Sequence, residues 1–586
     1  MQNMLKKLRN IFDRKQKREI GKLMVLVLIG AFSELMGVSV IVPFINAITE
    51  PETLMREPVV QEICQVLGIT QAGRLIVGIA IVLSLIYVVK NAIALILADQ
   101  QYKFSFYGRR DLKNRMMRCY MNQNYAFHQE NSSADLMRNI NNDTDMFYET
   151  VLNMLQLVSE LCVCAVLVTY LLITDVVITL CVAFSMGILV CIFLTKFRKE
   201  LVKLGNHRRT YMSAMTKCMQ QGFGGIKEIK VSNKEGVFCK DYEKSNLLFT
   251  EAMRKNLLLN AIPKPVMEAI CIMSLMAVIA VKVCLGSQTD DFITTLGVFA
   301  VAAFKLLPSV NKISGFFSTI MHNGVVVDVI EQEVETIRKL EKNIQNEEGH
   351  EREKLPFHQE IHLEDISFRY PNTEEDVLEH VTLTIPKNQS VAFIGPSGAG
   401  KTTLVDLILG VMEPTAGEIQ IDGEHLKGKV REWHRQIGYI PQTIYMLDDT
   451  IRNNVRFELS EEKGDDERVW KALEEAQLKE FVEGLEQGLD TVIGEGGTRL
   501  SGGQRQRIGI ARALYREPSV LVLDEATSAL DGETEAAVME SINHLQGKMT
   551  LLIIAHRLST IEKCEIVYEV KEKRIVLKEH EPKDSD

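Results

Sequence analysis

The chain has 586 residues, more than one hydrophobic core supports, so its length predicts two to four domains. Its formal net charge of −10 lacks the basic footprint that phosphate neutralisation requires, so we expect no nucleic-acid partner. The 11 cysteines are scattered without paired metal-ligand spacing, which is typical of small apolar side chains in a reducing or lipid setting.

Six apolar runs dominate the first half of the chain. Each holds about 18 or more mostly apolar residues, enough to cross a hydrocarbon core of about 30 Å. Buried core helices are the alternative, but six such segments leave too few polar faces to cover them. We therefore predict an α-helical membrane domain over residues 1–330, with six transmembrane helices at 20–48, 75–98, 151–174, 176–195, 257–285 and 291–308.

The charges that flank the first run predict the orientation. The basic segment KKLRNIFDRKQKREIGK precedes it and is too long for a cleavable signal peptide, so it reads as a cytoplasmic N-terminus. The loop after it, EPETLMREPVVQE, is acid-rich, as expected for the outer face. Six crossings return the chain to the cytoplasm after about residue 330, which predicts a multi-pass protein of the inner (plasma) membrane.

Long polar stretches at 99–150 and 196–256 are compatible with helix, so the spans are expected to continue into the cytoplasm. The turns near 124–133 and 219–228 either touch a cytoplasmic domain or are solvated loops. Residues 331–357 are charged and lack a sustained apolar stripe, which predicts a surface helix and a linker.

Short β-branched runs alternate with helical segments after the linker. IHLEDISFRY, VTLTIP, SVAFIG, SVLVLDEA and TLLIIAH are the strand candidates. This alternation predicts a cytoplasmic α/β domain with a largely parallel sheet over residues 358–586.

The segment GPSGAGKT follows a predicted strand and opens a predicted helix, which is the context of a phosphate-binding loop. Its glycines let the backbone wrap phosphate oxygens, and the helix N-terminus points at negative charge. Lys401 is placed to reach the outer phosphates and Thr402 to ligate Mg²⁺. The predicted nucleotide-binding residues here are Gly395, Pro396, Ser397, Gly398, Ala399, Gly400, Lys401, Thr402 and Thr403.

A second chemical element is VLVLDE, an apolar strand that ends in Asp524 and Glu525. Asp524 can hold Mg²⁺ through a water, and Glu525 can polarise the water that attacks the γ-phosphate. The alternative is that the two acids merely end a strand.

Between these elements lies LSGGQRQRIGIARAL, residues 500–514. Ser501, Gly502 and Gly503 can place a hydroxyl and backbone donors at a helix start, which makes a second anion site. The segment resembles the signature of the ATP-binding cassette (ABC) family. In that family the signature of one subunit covers the ATP bound by the other, so the resemblance implies a two-fold homodimer with ATP and Mg²⁺ as cofactors.

The resemblance extends to other positions and assigns each a role. Tyr370 in FRYP would stack on adenine, Gln442 in YIPQ would sense Mg²⁺ and water, and Gln504 belongs to the signature. Asp531 ends the SALD segment that crosses the dimer, and His556 in IIAHRLS would contact the γ-phosphate. The implied catalytic residues are thus Glu525, His556 and Gln442, and the implied metal ligands are Thr402, Gln442 and Asp524. Singly, Tyr370 and His556 are also compatible with structural roles.

Six spans before a single cassette resemble a half-transporter of the exporter type. By this resemblance the turns near 124–133 and 219–228 would be coupling helices that rest on the cassette near Gln442.

Four lysines in or beside the apolar runs indicate what is moved: Lys90, Lys264, Lys305 and Lys312. Ionisable groups in a span cost about 2.5–3.5 kcal/mol each, so they face a cavity or a partner. Glu34 is a possible partner for Lys90, and Glu268 for Lys264, so simple pairing stays open. No acid lies within a turn of Lys305 or Lys312, which favours an anion in a cavity.

The membrane half resembles flippases of lipid-linked oligosaccharides, including a long first outer loop that is compatible with helix. This implies a membrane-lipid partner and an anionic substrate, a polyprenyl-diphosphate-linked glycan, with the lysines on the pyrophosphate. The alternatives are a drug, lipid or peptide exporter, or a nucleotide-gated channel that binds ATP without hydrolysis. Glu525 disfavours the last alternative.

Overall fold

The structure is a computed structural model that describes most of the chain. The described ranges are 2–39, 71–174, 176–284, 308–347, 355–459 except 372, 465–524, 544–555 and 561–578, with a few single positions between them. Two compact units result: Met1–Gln123 with Asn131–Glu347, and Asn124–Glu130 with Glu348–Asp586. The predicted helical outer loop after the first span lies outside the described residues, single positions excepted.

The first unit is helical throughout its described residues. A π-helical turn, Asn139–Asp143, joins α5 to α6, and a 3₁₀ turn, Gly324–Val326, joins α11 to α12. The helices are α1 Gln2–Ile11, α2 Arg14–Ser39, α3 Ala72–Met121, α4 Tyr125–Glu130 (grouped with the second unit), α5 Ser133–Arg138, α6 Thr144–Thr174, α7 Val176–Gly224, α8 Ile226–Val231, α9 Glu235–Ala261, α10 Pro263–Cys284, α11 308–323 and α12 Val327–Glu347.

Five helical stretches in the described residues are long and apolar enough to cross a membrane: Arg14–Gly37, Gly73–Met121, Ser133–Ile173, Glu235–Ser274 and Pro308–Glu341. The predicted fourth span falls in α7, several of whose side chains lie outside the described residues. The predicted sixth span, 291–308, also lies outside them, apart from its last residue. As the sequence predicts, α3 and α7 run far beyond an apolar core, with 50 and 49 residues.

Helix α12 differs from the surface helix that its charge predicts. Val327, Ile330, Val334 and Ile337 recur at intervals of three and four residues, and each is no more than 3% exposed. This spacing places them on one helical face, which packs within the first unit. Charged residues lie between these apolar positions, so the composition of the segment alone does not reveal the apolar stripe.

The N-terminal helix α1 is fastened to α12 by polar contacts. Lys7 Nζ lies 2.6 Å from Asp328 Oδ1. Arg338 donates to the carbonyl oxygens of Asn10 and Ile11, each at 2.7 Å, and to Asp13 Oδ1 at 3.0 Å. The two ends of the first unit are therefore joined by an ammonium and a guanidinium of opposite helices.

The second unit contains two sheets. The antiparallel sheet has the order β2-β1-β4-β5, and the mostly parallel sheet has the order β10-β9-β3-β8-β7-β6. The strands are β1 Glu360–Phe368, β2 Leu378–Pro386, β3 Ser390–Ile394, β4 Ala416–Ile421, β5 Glu424–His425, β6 Ile437–Ile440, β7 Val520–Asp524, β8 Thr550–Ile554, β9 Ile566–Lys571 and β10 Arg574–Lys578. Its helices are α13 Lys401–Leu409, α14 Val430–His434, α15 Ile451–Arg456, α16 Asp466–Glu475, α17 Lys479–Glu483 and α18 Gly502–Leu514, with 3₁₀ turns at Gly488–Asp490 and Glu495–Gly497.

The central strands of the larger sheet, β3, β8 and β7, are buried on both faces, which explains their continuous apolar sequences. Alternate residues of β7 enter different cores: Leu521 and Leu523 pack in a core with Ile508 of α18, while Val520 and Val522 pack in a core with α13 and Trp433. The loops at the ends of these strands are thus held by a rigid frame.

Candidate nucleotide site and membrane lysines

The carboxyl ends of four parallel strands lie along one edge of the larger sheet. In this register Phe393 of β3 and Asp524 of β7 both pair with Ile554 of β8, while Ile440 of β6 pairs with Leu523. The loop 395–400 therefore starts at the same edge as Asp524, with β8 between them, and Gln442 lies two residues beyond Ile440. Ligand sites in open α/β sheets form at such an edge.

The phosphate-loop conformation depends on glycine at two positions with different constraints. Gly395 has φ +142°, and a Cβ there would lie 2.4 Å from the carbonyl oxygen of Val570. Gly400 has φ +102° and is the N-cap of α13. A side chain at Gly395 would clash with the backbone of β9 and displace the loop.

Lys401 and Thr402 have opposite environments at the start of α13. Lys401 is 5% exposed, and its Nζ donates to the carbonyl oxygens of Gly395 at 2.9 Å and Pro396 at 3.0 Å. Thr402 is exposed. The ammonium thus lies within the loop and the neighbouring hydroxyl faces outward, an arrangement that fits a nucleotide triphosphate with a metal ion.

Tyr370 is partly buried, and its ring meets that of Phe368 edge-on at 5.1 Å. Its hydroxyl shares a 2.9 Å hydrogen bond with Thr403 Oγ1. The predicted adenine-stacking residue is therefore tied to the phosphate-loop helix, a contact that sequence spacing did not indicate.

Asp524 has an acidic neighbour that the sequence reading missed. Burial and the charge of Asp524 raise the pKa of Asp406, on α13, to about 6. Burial and the charges of both acids also raise the pKa of Tyr439, whose hydroxyl bonds to Asp524. Asp406 follows Lys401 by five residues on the phosphate-loop helix. An acid on the buried side of that helix is the sequence signal that could have predicted this neighbour of Asp524. A divalent cation suits this electronegative cluster.

The signature segment forms a capped helix start. Ser501 Oγ accepts from the backbone N–H of Gln504 at 3.2 Å, and Gln504 Oε1 accepts from the backbone N–H of Ser501 at 2.8 Å. Gln504 thus orients the cap, while Ser501 and Gly502 stay exposed and Gly503 is buried. Such an end has the donors for an anion.

Gln442 is exposed. The segment that follows it is bonded to helix α18. Arg512 donates to the carbonyl oxygens of Tyr445 and Asn454, each at 2.8 Å, and burial lowers its pKa to about 10. A Cβ on Gly509 would lie 2.3 Å from Ile444 Cδ1. The signature helix and the Gln442 segment are therefore mechanically linked.

Four predicted site residues lie outside the described part of the chain: Glu525, Asp531, His556 and Lys305. Glu525 follows the last residue of β7 directly, and His556 comes two residues after β8. Their assigned roles stay predictions.

Lys90 is paired with an acid. It is 3% exposed, and its Nζ lies 2.6 Å from Glu34 Oε2, which joins α3 to α2. The Lys90 side chain also crosses Gly37, where a Cβ would lie 3.0 Å from Lys90 Cδ. The pairing left open by the sequence is thus present.

Lys312 also has an acidic partner, although no acid lies within one turn of it along its own helix, so the preference for an anion at this lysine loses its basis. Its Nζ lies 2.7 Å from Glu160 Oε1. The search within one helical turn missed Glu160 because this acid belongs to α6. Lys264 is exposed and, among the described residues, has no acid within ion-pair distance, so the suggested pair with Glu268 is not formed.

The predicted coupling turn at 124–133 contains the short helix α4, and the one at 219–228 covers the end of α7 and the start of the short helix α8. Helix α4 groups with the second unit, where Tyr125 contributes to the electrostatic environment of Tyr439. Helix α8 groups with the first unit.

Comparisons with known proteins agree on the two parts of the chain. Residues 20–300 match the ABC transporter transmembrane region, and residues 378–528 match the ABC transporter family model. An "ATP-dependent lipid A-core flippase" of Syntrophus aciditrophicus is 32% identical over 83% of this chain and 80% of its own length. A protein of the same name from Vibrio vulnificus is 43% identical over 37% of each chain.

A solved structure shares the fold. The "Structure of a bacterial Atm1-family ABC exporter with ATP bound" superposes with a TM-score of 0.75, covering 95% of both chains at 20% identity. Together with the Syntrophus relative, it accounts for nearly the whole length. The chain belongs to the ABC transporter family and is a multi-pass membrane protein in which ATP binding and hydrolysis are coupled to transport.

Proposed function

We propose that this transporter flips a lipid-linked glycan across the bacterial inner membrane, with its N-terminus and ATPase domain in the cytoplasm. The observation that carries the proposal is the 32% identity over 83% of the chain, membrane and ATPase regions included, to a relative named as a lipid A-core flippase. A polyprenyl-diphosphate-linked oligosaccharide is the form of substrate that the sequence favours.

The nucleotide chemistry of the proposal assigns a role to each residue at the strand edge. The loop 395–400 and Lys401 would hold the phosphates, Tyr370 would stack on adenine, and Asp524 with Thr402 would hold Mg²⁺. Gln442, Glu525 and His556 would orient the attacking water and the γ-phosphate. Magnesium would supply charge neutralisation between the phosphates.

A homodimer completes the proposed site. The chain carries one phosphate loop and one signature segment, and the capped start of α18 offers donors to an anion. Two-fold pairing would let Ser501, Gly502 and Gly503 of each subunit, with Gln504 behind them and Asp531 beside them, cover the ATP of the other.

The lysines contribute unequally to substrate binding in this proposal. Lys90 and Lys312 are neutralised by Glu34 and Glu160, so the favourable contact of each with a phosphate is reduced. Lys264, unpaired among the described residues, is the candidate that retains charge for a diphosphate, and Lys305, outside the described residues, keeps the role that the sequence assigns to it.

The test is the ATPase rate of the purified full-length protein in proteoliposomes of neutral lipid. The added amphiphiles are a polyprenyl-diphosphate oligosaccharide, the same polyprenyl diphosphate without sugar, a phosphorylated glycolipid and a cationic drug. We expect the two glycan-bearing lipids to stimulate the rate severalfold. Stimulation by the drug alone would instead identify a drug exporter.

A further inference from the structure

A cavity of about 500 Å³ lies among four helices of the first unit. Its walls come from 27–34 of α2, 94–102 of α3, 156–167 of α6 and 308–316 of α11. The α2 wall begins seven residues after the start of the first predicted span, about 10 Å along the helix. In the proposed orientation the cavity therefore occupies the cytoplasmic half of the membrane.

The charges of this cavity cancel. Its described lining contains three charged residues, Glu34, Glu160 and Lys312. Lys312 pairs with Glu160, and Glu34 pairs with Lys90 behind the wall. A bare phosphate would meet two carboxylates and two cations that are already bonded, so its net attraction is small.

The remaining polar groups both donate and accept hydrogen bonds. Gln101, 4% exposed, donates from Nε2 to Ser159 Oγ at 2.9 Å, and Ser159 donates to the carbonyl oxygen of Leu155 at 3.0 Å. Gln156 lines the cavity without a hydrogen-bond partner among the described residues. Ser309, 7% exposed, lines the cavity from α11 and shares a hydrogen bond with Cys164 of α6.

Polar side chains placed inside an apolar bundle are costly unless a ligand or partner uses them. Sugar hydroxyls donate and accept at once, so they match amides, serine hydroxyls and the spare lone pairs of paired carboxylates. The volume also falls in the range of about 300–1,000 Å³ that is usual for small-molecule sites.

We propose that this cavity binds the uncharged, hydroxyl-rich sugar portion of the substrate, with Gln156 and Ser309 as specificity-determining contacts. The inference rests on the proposed function, because it names the part of the glycolipid that one subunit holds. It separates sugar recognition within a single helical bundle from phosphate binding by lysines elsewhere, such as Lys264.

The experiment uses photoreactive alkyl maltoside and photoreactive alkyl phosphate of equal chain length with the full-length protein in nanodiscs. Mass spectrometry then locates the labelled peptides. We expect the maltoside to label the α6 and α11 peptides that line the cavity, and the phosphate to label them at least tenfold less.

Gln156→Leu keeps the size of the side chain and removes the amide that would bond sugar hydroxyls, so we expect about tenfold less maltoside labelling of these peptides. Gln332→Leu makes the same change at an exposed position of α12, away from the cavity lining, and is expected to leave labelling unchanged. Ser309→Ala serves as a milder second variant if Gln156→Leu does not fold.

Equal labelling by phosphate, or maltoside labelling that neither cavity variant reduces, overturns the inference. A flipping assay with labelled lipid-linked glycan separates the two proposals. Flipping without cavity labelling refutes only the sugar site. Cavity labelling without flipping refutes only the glycan-flippase function.

Discussion

Gly395 tests whether the phosphate loop has the backbone conformation described here. Gly395→Ala adds a Cβ 2.4 Å from the Val570 carbonyl oxygen at φ +142°, so we expect at least about 2 kcal/mol of destabilisation. Gly398→Ala is the matched control, because its φ is +80° and its Cβ would meet open space, which leaves about 1 kcal/mol of backbone strain. Thermal unfolding without nucleotide measures both, and equal shifts would contradict the predicted clash.

The pair Lys90–Glu34 distinguishes a structural lysine from a substrate-binding one. Glu34→Gln leaves a lysine that is 3% exposed without its counter-charge, so we expect about 3–5 kcal/mol of destabilisation. The double variant Glu34→Gln, Lys90→Met should recover most of this loss, because neither charge remains buried alone. Thermal unfolding in detergent of the unaltered protein, Glu34→Gln, Lys90→Met and the double variant gives a double-mutant cycle. A stable Lys90→Met protein that loses substrate-stimulated hydrolysis would instead assign Lys90 to substrate binding.

At the scale of elements, Arg338 joins α1 to α12 through three acceptors. We expect Arg338→Ala to loosen the C-terminal end of α1, since no other described side chain bonds the carbonyl oxygens of both Asn10 and Ile11, while Lys7–Asp328 and Asn10–Glu331 remain. Hydrogen exchange of the peptide 2–11 should accelerate at least tenfold. Lys339→Ala is the neighbouring control, because Lys339 only makes an exposed ion pair with Glu335. Unchanged exchange in Arg338→Ala would show that apolar packing and the other α1–α12 polar contacts hold α1 without this guanidinium.

The elements around the nucleotide site could largely be predicted, because local signals place them. A β-branched run before GPSGAGKT gives β3, and the Ser–Gly–Gly–Gln segment gives the cap of α18. The bonds of Tyr370 to Thr403 and of Arg512 to Tyr445 join residues 33 and 67 positions apart, and no local pattern encodes them.

Contacts around the membrane cavity also join distant residues that no local pattern encodes, although the sequence contained one signal of the cavity. The partner of Lys312 is 152 positions away, so spacing along one helix could not reveal it. Gln156, Ser159 and Glu160 recur at three and four residues within an apolar run, however, and this polar stripe could have indicated a buried site.

At the scale of the whole molecule, two kinds of site share one chain. The sheet edge gathers the phosphate loop, Asp524 and Gln442, while the helical unit holds a polar cavity whose charges are balanced. In the proposal, ATP hydrolysis at the sheet edge drives the movement of a glycolipid past the membrane cavity.

The most direct test is ATP-dependent flipping of a labelled lipid-linked glycan in proteoliposomes, comparing the unaltered protein with Glu525→Gln. The account predicts that the unaltered protein moves the glycan to the opposite leaflet only with ATP and Mg²⁺, whereas Glu525→Gln binds ATP with similar affinity and moves none. Equal flipping by both proteins, or flipping that does not require ATP, would contradict it.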